Sequence, residues 1–90
     1  MVDSREGMDA VESLLLDYIS REGTVKPDML PIGKYTKLIE SGILDSLSVL
    51  NLVVFLEDKF GIKIAPEDIV QENFETVGAI RRYLDTKQGK

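Results

Sequence analysis

The segment from Asp45 to Phe60 constrains the fold most, because it is the most apolar part of the chain and long enough for several helical turns. Eight of the ten residues from Leu47 to Leu56 are apolar and three are valines, so side-chain propensity alone would allow a β-strand. The polar residues do not alternate as a strand requires. They fall close to one stripe of a helix: Ser48, Asn51, Asp58 and Lys59. With Asp45 as N-cap and Gly61 as stop signal, the segment is predicted to be a helix, and the most buried one.

Two further main helices are predicted on either side of this segment. The first has apolar residues at three- and four-residue steps, with Glu12 and other acids on the remaining positions, and it ends at Gly23; its apolar residues are Met8, Val11, Leu14, Leu15, Tyr18 and Ile19. The last begins after Thr76 as N-cap, with Arg81 towards the C-terminal end, where the helix dipole favours cations. Its apolar residues are Val77, Ile80, Tyr83 and Leu84.

Two segments connect the main helices. Residues 23–44 form a long loop, because Pro27, Pro31 and Gly33 interrupt any helix. A short helical turn is expected over Tyr35–Glu40, and four apolar residues are expected to anchor the loop: Tyr35, Leu38, Ile39 and Ile43. Before the last helix, Pro66 followed by two acids predicts one short helix that ends near Asn73.

The predicted fold class is therefore all-α: a small four-helix bundle, with three main helices plus one short helix and a long loop between helices one and two. Ninety residues support one core. We predict a flexible N-terminus over residues 1–7, a folded domain over 8–85 and a flexible C-terminus over 86–90.

Composition excludes several functions. The net charge of −5 argues against a nucleic-acid partner. The chain has no histidine and no cysteine, which removes the commonest general base and any thiol nucleophile or thiolate metal site, and its acids do not have calcium-loop spacing. We therefore expect no catalytic residue and no metal. No apolar run is long enough to span a bilayer, and the N-terminus does not read as a signal peptide, so a cytoplasmic protein is expected.

The triplet Asp45-Ser46-Leu47 is the candidate functional motif. It places a serine on the first turn of the apolar helix, beside an acidic cap and with no evident base to activate it. One reading is a helix cap alone. The other is a serine that accepts a covalent phosphate-linked group, because a helix N-terminus favours anions.

The residues around the triplet resemble the acyl carrier protein and peptidyl carrier protein family. The resemblance runs through Leu38-Ile39-Glu40-Ser41-Gly42-Ile43-Leu44-Asp45-Ser46-Leu47, Leu56-Glu57-Asp58-Lys59-Phe60-Gly61-Ile62-Lys63-Ile64 and Asn73-Phe74-Glu75-Thr76-Val77. With the first helix it covers about residues 8–85.

The resemblance implies a non-catalytic, stand-alone, monomeric carrier with a covalent 4′-phosphopantetheine cofactor. Ser46 would receive the arm from coenzyme A through a phosphopantetheinyl transferase, with Asp45 and Leu47 as flanking recognition residues. Free backbone N–H groups of the first turn would stabilise the phosphodiester. The arm would carry an acyl or aminoacyl group as a thioester for fatty-acid, polyketide or other specialised biosynthesis. Further partners would be a loading ligase and downstream transferase or synthase enzymes.

The surface expected to meet these partners lies on the second helix. The candidate docking residues are Ser48, Asn51, Phe55, Glu57 and Asp58. Phe55 falls on the polar stripe and is expected to be exposed. Carriers of fatty-acid synthesis usually have acids where Ser48 and Asn51 stand, so a more specialised carrier, including an aminoacyl carrier, is favoured.

Two questions stay open from the sequence. Five apolar residues could line an interior space for cargo or simply pack the core: Leu38, Leu50, Val54, Ile64 and Ile69. The alternative function is an unmodified helical protein-interaction module with a carrier-like fold, which would not need the Ser46 hydroxyl.

Overall fold

The first helix begins and ends with well-formed caps in the computed structural model, which describes residues 9–29 and 32–87. Helix α1 spans Ala10–Glu22. The Asp9 carboxylate accepts a hydrogen bond from the Glu12 N–H at 2.8 Å, and the Glu12 carboxylate accepts one from the Asp9 N–H at 3.0 Å. At the other end the Gly23 N–H donates to the Ile19 carbonyl, so the predicted stop is confirmed. Met8, which was predicted to be one of the apolar residues of this helix, lies outside the described residues.

The long loop between α1 and the next helix is held by backbone hydrogen bonds to the rest of the fold. The Leu38 N–H donates to the Glu75 carbonyl at 2.8 Å, and the Leu44 N–H donates to the Leu38 carbonyl at 2.9 Å. A 3₁₀-helix spans Pro27–Met29. No helix forms over Tyr35–Glu40; the helical turn expected there corresponds to hydrogen-bonded turns, in which the Ser41 N–H donates to the Lys37 carbonyl at 3.3 Å.

Three of the four loop residues predicted to be anchors do pack against the core. Leu38 and Ile43 are fully buried and Ile39 is partly buried. Tyr35 is instead 73% exposed, because its ring lies on the outer surface beside Gly78 and the Lys34 ammonium.

Helix α2 spans Ser46–Phe60, with Asp45 as N-cap and Gly61 in the left-handed conformation at φ 64° as its stop. These boundaries are as predicted. The prediction that α2 is the most buried helix is wrong, because it packs only one face against the core. Its buried residues are Leu52, Val53 and Leu56, whereas α4 buries five of its eleven residues.

The segment after Pro66 is two short elements rather than one helix. A 3₁₀-helix spans Pro66–Asp68 and α3 spans Gln71–Phe74. They are separated because Val70 adopts extended backbone angles of φ −127° and ψ 158°. Phe74 at the end of α3 is fully buried.

Helix α4 spans Val77–Lys87 and packs against α1 and α3. The Thr76 hydroxyl accepts a hydrogen bond from the Ala79 N–H at 3.0 Å, so the predicted cap is confirmed. The helix extends two residues past the predicted domain boundary at 85. Arg81 forms ion pairs with Asp9 at 2.8 Å and with Asp85, so it links α4 to the start of α1.

These elements confirm the predicted all-α class with three main helices and one short helix; residues 9–29 and 32–87 include no strand. One cluster of buried side chains, drawn from all four helices and the long loop, forms the core. No helix in the described part of the chain combines the length and apolarity needed to cross a membrane. The predictions for residues 1–7 and 88–90 fall outside the described residues.

Candidate functional site

Ser46 is the first residue of α2 and is exposed. Its position follows from the cap immediately before it: Asp45 has extended backbone angles, and its carboxylate accepts a hydrogen bond from the Ser48 N–H at 2.8 Å. This bond, reinforced by the Ser48 hydroxyl, lowers the pKa of Asp45 below its usual value. Asp45 is therefore anionic at neutral pH, and the Ser46 hydroxyl lies on the outer surface beside it.

An open apolar groove of about 520 Å³ begins at Ser46. Helix α2 contributes Val49 and Leu50 to one side, and the segment before and within α3 contributes Ile69, Val70 and Phe74 to the other. The end of the long loop closes the groove at Leu44 and Asp45. Ser46 thus lies at the edge of a shallow surface that a flexible substituent on its hydroxyl could follow without displacing core side chains.

The helix N-terminus is partly occupied by the protein itself. The sequence predicts that free N–H groups of the first turn would stabilise a phosphodiester on Ser46, but the Asp45 carboxylate already accepts from the Ser48 N–H. A phosphodiester on Ser46 would lie next to this carboxylate and share the helix N-terminus with it. The exposed position of the Ser46 hydroxyl therefore favours a large substituent more than the few free N–H donors of the first turn do.

The predicted docking residues do not all lie on the exposed surface of α2. Asn51 and Asp58 are exposed, and Ser48 is half-buried. Phe55 is half-buried as well, because its ring stacks on Tyr18 of α1 with a centroid distance of 4.2 Å, so the predicted exposure of Phe55 is wrong. The half-buried Glu57 carboxylate accepts a hydrogen bond from the Ile64 N–H at 2.9 Å and thereby fixes the connection after α2.

The five residues considered for an interior cargo space divide into two groups. Leu38 and Ile64 are buried in the core. Leu50 and Ile69 line the surface groove beside Ser46, and Val54 is exposed further along α2. These side chains therefore do not enclose one interior space, and the apolar space near Ser46 is open to solvent.

Nothing in the sequence pattern indicates the ion pair between Glu12 and Lys34. The Glu12 side chain is buried and lies 2.9 Å from the Lys34 ammonium, which raises the pKa of that lysine. Acids and bases 22 positions apart carry no local pattern that would reveal such a pair. The contact holds the long loop against the start of α1.

The chemistry available at the site is that of the Ser46 hydroxyl as the acceptor of a transferred group. Neither histidine nor cysteine is present in the sequence, and the ionisable neighbour in contact with the first turn is the capping Asp45. Within residues 9–29 and 32–87, no cluster of three or more acidic residues could hold a metal ion. The arrangement can present Ser46 to an external enzyme that supplies its own base.

Comparisons with known proteins agree with this arrangement. The family described as "Phosphopantetheine attachment site" matches residues 13–84. An "Acyl carrier protein" of Chlamydia caviae is 30% identical over 81 residues, which cover 90% of this chain and 95% of that protein. An "Acyl carrier protein" of Wolinella succinogenes is 42% identical over 53 residues, covering 59% of this chain and 67% of that protein. One of Exiguobacterium sibiricum is 51% identical over 43 residues, covering 48% and 52%.

Proposed function

The chain belongs to the phosphopantetheine-attachment family, and from this premise we propose that it carries acyl groups as thioesters on a 4′-phosphopantetheine arm attached to Ser46. The family's cofactor is covalent and its members are non-catalytic carriers. The observation that carries the proposal is the exposed serine at the first position of α2, at the edge of an open apolar groove.

The attachment step needs one nucleophilic oxygen from this chain. The Ser46 Oγ would form a bond to the phosphorus that bears pantetheine, while the pyrophosphate bond of coenzyme A breaks and adenosine 3′,5′-bisphosphate leaves. The hydroxyl proton would pass to a base of the transferase, because the Asp45 carboxylate is a weak base: it accepts from the Ser48 N–H, and this bond lowers its pKa. Once attached, the arm supplies a terminal thiol that carries cargo between partner enzymes.

The roles of the neighbouring residues follow from their positions. Asp45 holds the first turn of α2 and so fixes the direction of the Ser46 side chain. Leu47 is exposed beside the serine and is available to the transferase. Acyl cargo is proposed because three similar proteins bear the name "Acyl carrier protein", and aminoacyl cargo is the alternative. The monomeric state, the cytoplasmic location, the loading ligase and the downstream enzymes stay predictions.

Intact mass spectrometry tests the attachment directly. The wild-type chain, Ser46→Ala and Ser20→Ala are incubated with coenzyme A and a broad-specificity phosphopantetheinyl transferase. Ser20 is the matched control, because it is an exposed serine of α1 away from the groove. We expect one phosphopantetheine on the wild type and on Ser20→Ala, and none on Ser46→Ala. A folded wild type that gains no mass would contradict the proposal and favour the unmodified interaction module.

A further inference from the structure

Gly23, at the end of α1, touches the chain segment that leads to Ser46. Its backbone angles, φ −82° and ψ 170°, are extended and open to any residue, so they do not explain why a glycine stands here. The surrounding atoms do explain it. A Cβ at this position would lie 2.9 Å from the Ile43 Cγ2 atom, 3.0 Å from the Ile43 carbonyl oxygen and 2.8 Å from the Ile19 carbonyl oxygen. The missing side chain therefore allows the end of α1 to lie directly against Ile43.

A hydrogen bond holds this contact in place. The Thr24 N–H donates to the Ile43 carbonyl at 2.9 Å. Ile43 is 1% exposed and belongs to the core cluster, so it is surrounded by packed side chains. Because protein interiors are close-packed and transmit strain, Ile43 cannot shift without moving its neighbours. The end of α1 thus sets the position of Ile43.

Only two residues separate Ile43 from Ser46, and both are fixed. Leu44 is 2% exposed. Asp45 is the N-cap of α2, and its carbonyl accepts a hydrogen bond from the Val49 N–H at 2.9 Å. A shift of Ile43 is therefore not absorbed by a loose segment before it reaches the first turn of α2.

We propose that Gly23 is a positioning residue for arm transfer, which acts through Ile43 on the placement of the Ser46 hydroxyl in the transferase active site. This inference rests on the proposed function. An added Cβ would push Ile43 away by about 0.5 Å, to an ordinary contact distance of about 3.5 Å. Such a displacement slows a transfer reaction, because the reacting atoms must be aligned at about 3–3.5 Å.

The test is single-turnover transfer of the arm from coenzyme A, with a broad-specificity phosphopantetheinyl transferase in excess over the carrier. Rates at increasing transferase concentrations give the maximal rate and the half-saturating concentration. The variants are Gly23→Ala and Thr24→Pro, which removes the N–H donor to Ile43 without adding a Cβ at position 23. The extended angles of Gly23 are compatible with a following proline.

Gly61→Ala is the matched control. It is also a glycine at a helix end, and its substitution is expected to destabilise the fold, but it lies at the opposite end of α2 from Ser46. Melting curves establish that each variant is folded at the assay temperature. If Gly23→Ala does not fold, Thr24→Pro decides the question by the same criteria.

The two kinetic parameters separate positioning from a loss of stability. An unfolded fraction reduces the amount of competent carrier, which raises the half-saturating concentration and leaves the maximal rate unchanged. A misplaced Ser46 hydroxyl lowers the maximal rate within the complex. We expect the maximal rate to fall about tenfold for Gly23→Ala and about threefold for Thr24→Pro, with half-saturating concentrations within about twofold of the wild type. Gly61→Ala should keep the wild-type maximal rate.

A spectroscopic measurement detects the displacement without any transferase. In ¹H–¹⁵N spectra, the amide signals of Ser46 and Ser48 should shift in Gly23→Ala and keep their wild-type positions in Gly61→Ala. The Ser48 amide is informative because it donates to the Asp45 carboxylate. Unchanged signals of both amides, or wild-type maximal rates in both Gly23→Ala and Thr24→Pro, would overturn the proposal.

Failure of the premise gives a different result. A folded wild type that accepts no arm contradicts the proposed function, and the positioning role fails with it. If the wild type and both variants are modified at equal maximal rates, the proposed function stands. In that case Gly23 serves only the packing of α1, and the positioning proposal is wrong.

Discussion

Replacing Phe55 with alanine should destabilise the fold, because its ring joins α2 to α1. The ring stacks on Tyr18 at a centroid distance of 4.2 Å and an interplanar angle of 22°, and both rings pack against the core cluster. Truncating a fully buried phenylalanine costs about 3–5 kcal/mol. Phe55 is only half-buried, so we expect a loss of about 2 kcal/mol in the free energy of unfolding, which includes about 1 kcal/mol from the aromatic contact.

Urea unfolding followed by circular dichroism measures this loss. A double-mutant cycle with Tyr18→Ala, Phe55→Ala and the double variant isolates the coupling between the rings, which we expect to be about 1 kcal/mol. Phe55→Ala should also lower Tm by about 10 °C in a domain of this size. Asn51→Ala serves as control, since this residue of α2 is exposed and should change stability by less than about 0.5 kcal/mol.

The same variants decide between the two interpretations of Phe55. Unchanged stability of Phe55→Ala, or a coupling energy below about 0.3 kcal/mol, would refute the reasoning from the stack. If such a variant also lost transfer activity, Phe55 would be a partner contact, as the sequence suggested. If stability falls and the folded variant is modified at the wild-type rate, the residue joins the helices and does not serve docking.

Two other predictions concern single contacts. Burial, assisted by the hydrogen bond that the Tyr83 hydroxyl donates to Asp68 at 2.8 Å, raises the pKa of Tyr83 to about 12. The folded state therefore keeps this proton at pH values where the unfolded state, with a pKa of 10.0, has lost it. Stability should therefore decline as pH rises from about 10 to about 12. In melting experiments at several pH values, Tyr83→Phe should flatten this decline, and it should cost about 1 kcal/mol at pH 7. An equally steep decline in the variant would contradict the assignment of the pH dependence to Tyr83. Gly61→Ala should cost about 1 kcal/mol in urea unfolding, because Gly61 has φ 64°. Gly33→Ala should be nearly neutral, because Gly33 has no positive φ and an added Cβ would meet the Thr36 Oγ1 at an ordinary contact distance of 4.0 Å. Equal effects of the two substitutions would show that the left-handed cap is unimportant.

Local chemistry in the sequence predicted the helix ends well. Asp45, Gly61 and Thr76 all act as the predicted boundaries, because caps depend on a few neighbouring residues whose side chains and backbone angles have strong preferences. The family suggested by the motif around Ser46 and the four-helix fold are likewise confirmed. The individual roles of Ser46 and its neighbours are proposals that the transfer assay tests.

The errors arise where tertiary contacts override the local pattern. Phe55 lies on the polar side of α2 by periodicity, yet Tyr18 of another helix covers it. Glu12 belongs to the polar side of α1, but its carboxylate is buried against Lys34 from the long loop. Conversely, Leu50 reads as a core residue and is exposed. Hydrophobic periodicity ranks the faces of a helix but does not say how much of the apolar arc the neighbouring elements cover.

The hydrogen bonds of Leu38 bear on how Ser46 can be recognised. The Leu38 N–H donates to the Glu75 carbonyl, and the Leu38 carbonyl accepts from the N–H of Leu44, the residue immediately before Asp45 and Ser46. The segment leading into α2 is thus held, through Leu38, to Glu75, a residue distant in the sequence. A synthetic peptide covering only residues 42–50 would have the same motif without this support, so it should be a poor transferase substrate. Such an enzyme would recognise the folded conformation around Ser46 and not the linear sequence alone.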